Sequence, residues 1–151
     1  MGSKKKGVIL AWVVMVPLLG ISIFQNFDLV FNQYDQQFRM ASWNSSEMGE
    51  VISQFDNTYG TTDTAWIVPY PHWVDTRLPG VWAGIPNRDF AIGQDHIKDT
   101  QVIPGTKLFI YNSNDMTTGE VLTEIYPKGS MSLYISSSPG HDFLVYFVPA
   151  Q

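Results

Sequence analysis

The chain has 151 residues, with nine Lys and Arg against fourteen Asp and Glu, three His and no cysteine. Its formal net charge is -5, and with Lys4, Lys5 and Lys6 set aside the rest is more acidic still. Such a surface has no basic patch for phosphates, which argues against nucleic acid or anionic lipid headgroups as partners. Without cysteine, neither a disulfide framework nor a thiolate metal site can form.

The first element is the run Gly7 to Phe24, GVILAWVVMVPLLGISIF, eighteen residues without a charged side chain. As a helix it covers about 27 Å, close to the ~30 Å hydrocarbon core of a bilayer. Pro17 and Gly20 would weaken a soluble helix but are tolerated in a membrane span. A cleaved signal peptide shares the basic start and apolar middle, yet bulky Phe27, Leu29 and Phe31 follow where a small-residue cleavage site belongs. The expectation is a retained single-pass anchor. Lys4, Lys5 and Lys6, in a basic flank of residues 1–6, place the N-terminus in the cytoplasm and the remainder outside. Phe24, Phe27, Phe31 and Tyr34 recur at helical spacing and suit the interface, so the helix is predicted to run on to about Tyr34. Outside the basic flank and the span, six cationic residues face fourteen acidic ones, a balance of -8.

Residues 35–151 are long enough for one extracytoplasmic domain with a core of its own. Tyr34 to Trp43 reads as helical, with Phe38 and Ala41 as core candidates and no flexible linker after the anchor. Asn44 and Glu47 have capping-box spacing, and Met48, Val51, Ile52 and Phe55 give the helix that follows an apolar face. Thr64 to Val68 reads as a buried strand. A Pro-rich loop and a short apolar stretch through Val81, Trp82, Ala83 and Ile85 lead to a second strand, Phe90 to Ile92. Asp95 to Thr100 reads as a polar turn, and Lys107 to Tyr111 as the third strand. Thr117 to Glu120 has capping-box spacing and opens a helix stopped by Pro127. Met131 to Ile135 and Phe143 to Val148 form a C-terminal hairpin, with His141 and Asp142 solvated at its turn. The fold class is α/β: a transmembrane helix, then a small three-layer domain with a mixed sheet, its first strands parallel and its last pair antiparallel at one edge.

The densest polar constellation is Tyr70, His72, Trp73, Asp75 and Arg77, joined some ten residues later by Asn87, Arg88 and Asp89. The first group follows the C-terminal end of a predicted strand, where open α/β sheets bind ligands. In a helical segment His72 and Asp75 would share a face, and Tyr70 and Trp73 offer flat surfaces that stack on sugar rings. The constellation suits a glycan or other polar ligand better than a catalytic triad. The competing reading is a loop organised by Asp75 paired with Arg77 or Arg88, with Trp73 and Trp82 in the core. His72, Asp75, Asp95 and His96 lack the spacing of a metal motif, so no metal and no cofactor is expected. No nucleophile elbow, phosphate loop or dinucleotide fingerprint occurs, and no catalytic residue is assigned. Asn44-Ser45-Ser46 matches a glycosylation sequon, a triplet that arises often by chance.

The segments DTAWIVPYPHWVDTRLPGVWAGIPNRDFAI and FQNFDLVFNQYDQQFRMASWNSSEMGEVI carry a family resemblance. From about Phe24 to Pro149 the chain resembles the last transmembrane helix and C-terminal extracytoplasmic domain of bacterial multi-spanning glycosyltransferases. These are the family 39-type enzymes similar to dolichyl-phosphate-mannose protein mannosyltransferases, which take sugar from a polyprenyl-phosphate carrier. The resemblance is most specific at Tyr70 to Arg77 and Ala83 to Asp89. It implies an accessory domain that does not transfer sugar alone, because that family's catalytic carboxylates lie in the first extracytoplasmic loop of a many-helix bundle, and one anchor cannot build the carrier cavity.

Three functions are therefore expected, in this order. One is a membrane-anchored binding or accessory module recognising a glycan or a partner protein. Another is a structural subunit of a larger membrane complex, for which Gly7, Ala11, Gly20 and Ser22 permit close helix approach without GxxxG spacing; a pilin-like subunit is a variant that lacks the usual early acidic residue. The last is an enzyme using His72 and Asp75 as an acid–base pair. The partners expected are the lipid bilayer, membrane-protein subunits and a glycan.

Overall fold

The computed structural model describes residues 2–35 and 44–150. The chain divides into two compact units, Met1–Ser42 and Trp43–Gln151. The expectations of helix through Trp43, of core roles for Phe38 and Ala41 and of a stiff connection to the domain fall outside the described residues.

In the first unit helix α1 spans Gly2–Asp28 and passes without interruption through Pro17. It continues as a π-helical turn, Leu29–Gln33, with Tyr34 and Asp35 still helical. The predicted extension to about Tyr34 is therefore present. Within it Trp12–Gln33 is a 22-residue stretch long and apolar enough to cross a membrane, with none of it buried within the protein. Polar groups gather at its C-terminal end, where the Asn32 and Gln33 amides donate to the Asp28 carboxylate at 2.7 and 2.8 Å. The Phe27 and Phe31 rings lie 4.7 Å apart on the same stretch.

The second unit is built on a four-stranded mixed sheet of β1 (Ala65–Ile67), β2 (Lys107–Asn112), β3 (Ser130–Tyr134) and β4 (Phe143–Val148), in the order β1-β2-β4-β3. β1 and β2 are parallel, with Trp66 opposite Phe109, and β4 is antiparallel to both β2 and β3. The predicted hairpin is present, and its second strand is drawn inward to pair with β2.

β2 is buried at every position, as a continuous apolar strand covered on both faces must be. Strand alternation sends Leu108 and Ile110 to one face and Phe109 and Tyr111 to the other. The first face packs on Met48, Ile52 and Phe55 of helix α2 (Ser45–Thr58), together with Trp73 and Phe90. The second packs on Leu122 of helix α4 (Met116–Ile125), on Tyr126 just after it and on Ile97. Two cores on one sheet make the three-layer α/β sandwich.

Four local expectations are corrected. Phe90 to Ile92 is not a strand of its own: it touches β1 by a single parallel bridge between Ile67 and Ala91, with the Ala91 amide bonded back to Asp89 and a 3-10 helix starting directly after Gly93. Asp95 to Thr100 lies in a 3-10 helix, Gln94–Val102, which buries Ile97 and Thr100 under the second face. Helix α4 is capped not at Thr117 but at Asp115, whose carboxylate accepts from the Thr118 amide at 3.1 Å and hydroxyl at 2.6 Å. An ionised carboxylate is the stronger acceptor for those amides. Pro127 does follow the end of this helix.

The fourth correction concerns Asn44 and Glu47. Asn44 stands at the α2 N-cap but makes no side-chain cap bond; its amide donates to the His141 carbonyl instead. Glu47 accepts from the Ser136 hydroxyl at 2.7 Å and from the Ser137 hydroxyl and amide at 2.6 and 2.9 Å. Both halves of the expected capping box thus hold the β3–β4 connection against α2. Asp142 accepts from the Ser136 amide at 2.9 Å, and both His141 and Asp142 are only partly exposed, not solvated.

Candidate functional site

The loop expected to carry the site leaves β1 at Ile67 and stays attached to the sheet for one more residue, where the Val68 amide donates to the Ile110 carbonyl. It then turns rather than winding into a helix. His72 has φ 56°, a left-handed conformation uncommon outside glycine. His72 and Asp75 therefore do not share a helical face. Trp73 and Val74 turn inward and join the core beside α2, so Trp73 is no stacking platform. Tyr70, His72, Asp75 and Arg77 remain exposed.

Asp75 and Arg77 form a fork, with the guanidinium donating at 3.0 and 2.7 Å and the Arg77 amide donating to the same carboxylate at 3.1 Å. Those bonds from Arg77, side chain first and backbone second, pull the Asp75 pKa down to about 2. A carboxylate held so low is a permanent anion and a poor proton acceptor at neutral pH. Arg77 in turn is held more firmly protonated by Asp75.

The second cluster does reach the first, through one bond. The buried Thr76 hydroxyl donates to Asp89 at 2.6 Å, the Ala91 amide donates to the same oxygen at 3.0 Å, and the Phe90 amide donates to the Thr76 carbonyl. Arg88 points elsewhere: it pairs with Asp63, reaches the Ala65 carbonyl at 3.4 Å and lies 4.8 Å over the Phe90 ring. Asn87 is exposed. The short helix α3 (Leu78–Trp82) follows, and Trp82 is exposed rather than in the core. Asp75, Arg77, Arg88 and Asp89 thus each have an assigned structural partner, while Tyr70, His72 and Asn87 face solvent on the same loops.

Among the described residues no group of three or more His, Asp or Glu could hold a metal ion. His96 lies between two carboxylates, 3.0 Å from Asp99 and 3.6 Å from Asp95. The hydrogen bond that the His96 ring donates to Asp99, then the charge of Asp95, raises its pKa.

Residue-type motifs did not mark the cleft of about 590 Å³ between α4 and the sheet. Tyr111, Met116, Gly119, Met131 and Leu144 give it apolar walls, and Asp115, Glu120 and Glu124 rim it. Tyr111 donates its hydroxyl to the Met131 sulfur at 2.9 Å. Burial, then the nearby Tyr146 and the charge of Asp115, push the Tyr111 pKa up to about 12, so it stays a donor. The sequence signal was present but faint: Met116, Glu120 and Glu124 lie at helical spacing on one side of α4.

Comparison of the chain with protein-family models, with curated proteins and with solved structures finds no match.

Proposed function

We propose that the chain is a membrane-anchored extracytoplasmic accessory domain, non-catalytic alone, that serves a membrane-protein assembly of the kind to which its sequence is similar, a polyprenyl-phosphate-sugar-dependent glycosyltransferase. The observation that carries this reading is Trp12–Gln33, an apolar helix of membrane-spanning length with no side chain buried in the protein, in a chain that also has a compact α/β unit. Such a helix needs lipid or other helices to cover it. Lys4 to Lys6 on its N-terminal flank orient the domain outward. Extraction of the full chain from its native membrane in mild detergent, followed by native mass measurement, tests the proposal. A co-migrating integral-membrane partner is expected, and a clean monomer overturns it.

A second reading, glycan recognition, is favoured by the exposed Tyr70, His72, Asp75, Arg77 and Asn87 on neighbouring loops beyond the end of β1. Titration of cell-envelope glycans into the full chain, with Asp75→Ala as control, would then perturb tryptophan fluorescence in the native protein only. An unperturbed spectrum in both removes that version.

A further inference from the structure

The three-layer sandwich is unfinished at one corner. On the sheet face that carries α4, the helical layer covers Phe109, Tyr146 and Val148, which are buried. It does not reach β3. Strand alternation places Met131 and Leu133 on this face, since they pair with Tyr146 and Leu144, yet they are 59% and 53% exposed. Met116, facing them from the first turn of α4, is 74% exposed. β3 is also an edge strand, and among the described residues no strand lies on its outer side. The cleft of about 590 Å³ has Met116 and Met131 among its lining residues, and Leu133 continues the apolar surface along the same face of β3.

Charge narrows what can cover it. The rim supplied by Asp115, Glu120 and Glu124 carries three carboxylates, and among the described residues no Lys or Arg lines the cleft. A second copy of this chain would bring its own acidic domain against that rim, which costs like-charge repulsion. An added strand on the edge of β3 would satisfy the edge amides but leave Met116 uncovered. A helix laid beside α4, over β3 and β4, covers both walls and completes the layer at the usual helix spacing of about 8–10 Å.

We infer that this cleft is the docking surface for a cationic amphipathic helix of a partner protein. Its apolar side rests on Met116, Met131, Leu133 and Leu144, and its Lys and Arg side chains meet Glu120 and Glu124. Methionines suit the role, because their unbranched side chains re-pack around a helix that is not perfectly matched. The inference rests on the accessory reading above and deepens it by naming the surface and the kind of partner.

The test uses the full chain in its native membrane, with p-benzoylphenylalanine placed singly at Met116, Leu133 or, on the other side of the sheet, Trp82. Cross-links from positions 116 and 133 to one helical segment with Lys or Arg on one face are expected. The purified chain should also bind a synthetic Leu/Lys amphipathic helix, at least tenfold more weakly after joint Glu120→Lys and Glu124→Lys and more weakly still in high salt. Thermal melting checks that each variant is folded. Protein cross-links from Trp82 alone overturn the docking surface while leaving the accessory reading standing. No protein cross-link from any position in folded variants overturns both. Cross-links to lipid, or to an extended segment running along β3, overturn the helical partner, and so does binding unaffected by the charge reversal.

Discussion

Asp75 and Asp89 are both exposed acids on neighbouring loops, and the structure gives them opposite weights. Asp75 is tied to the adjacent, exposed Arg77, a pair that water screens and whose removal changes little. Asp89 holds the buried Thr76 hydroxyl and the Ala91 amide, joining the loop after β1 to the segment beside it. Asp89→Ala therefore strands a buried donor and should cost about 1–2 kcal/mol. Asp75→Ala should leave the melting curve where it is. Equal melting temperatures for the two variants would contradict this assignment. The two clusters that the sequence grouped are joined by the Thr76–Asp89 bond. Which of their residues turned inward was not legible, because a Pro-rich loop has no periodicity to separate the faces. Trp73 went to the core and Trp82 to the surface, and only tertiary packing distinguishes them.

At the scale of elements, α2 and α4 were readable from apolar residues at helical spacing, and β2 and β4 from short, continuous apolar runs. The caps were not. Asn44 and Glu47 had the right spacing, but a side chain that can reach its own helix can also reach across to another element, and here both serve the β3–β4 connection. This makes Glu47 a pH-dependent clamp. Burial raises its pKa, while the Ser137 and Ser136 hydroxyls and the Ser137 amide outweigh that and leave it below the ordinary value of 4.5. A folded pKa below the unfolded one means the stabilisation is fully present above the unfolded value and is lost as pH falls through the folded one. Glu47→Ala should therefore lower stability by about 2 kcal/mol at neutral pH, through loss of charge-assisted bonds. The gap from the native protein should close on acidification below that range. A gap that is constant with pH, read from urea melts at a series of pH values, would assign the effect to packing alone.

For the whole molecule, the apolar helix of the first unit bears on where the second is held. Trp12–Gln33 is long enough to cross a bilayer, and its apolar side chains are unburied. A cleaved leader and a retained anchor both satisfy that description, and they differ in what remains attached. The structure adds a continuous helix from Gly2 through the π-helical turn to Asp35, with Asn32 and Gln33 each donating to Asp28 near its end. A helix that continues past the apolar run, with Asn26, Asn32 and Gln33 bonded within it, suits an anchor emerging from the hydrocarbon. The retained anchor predicts a chain that stays in the membrane pellet after carbonate extraction with the intact mass of 17.0 kDa. Protease added outside should then digest the acidic domain and spare an N-terminal tag. Orientation depends on Lys4, Lys5 and Lys6, so replacing all three by Glu should expose that tag in part of the population. A soluble product shortened by the length of the apolar run would instead identify a leader. It would detach the domain from the membrane and, with it, remove the ground for a membrane-bound partner.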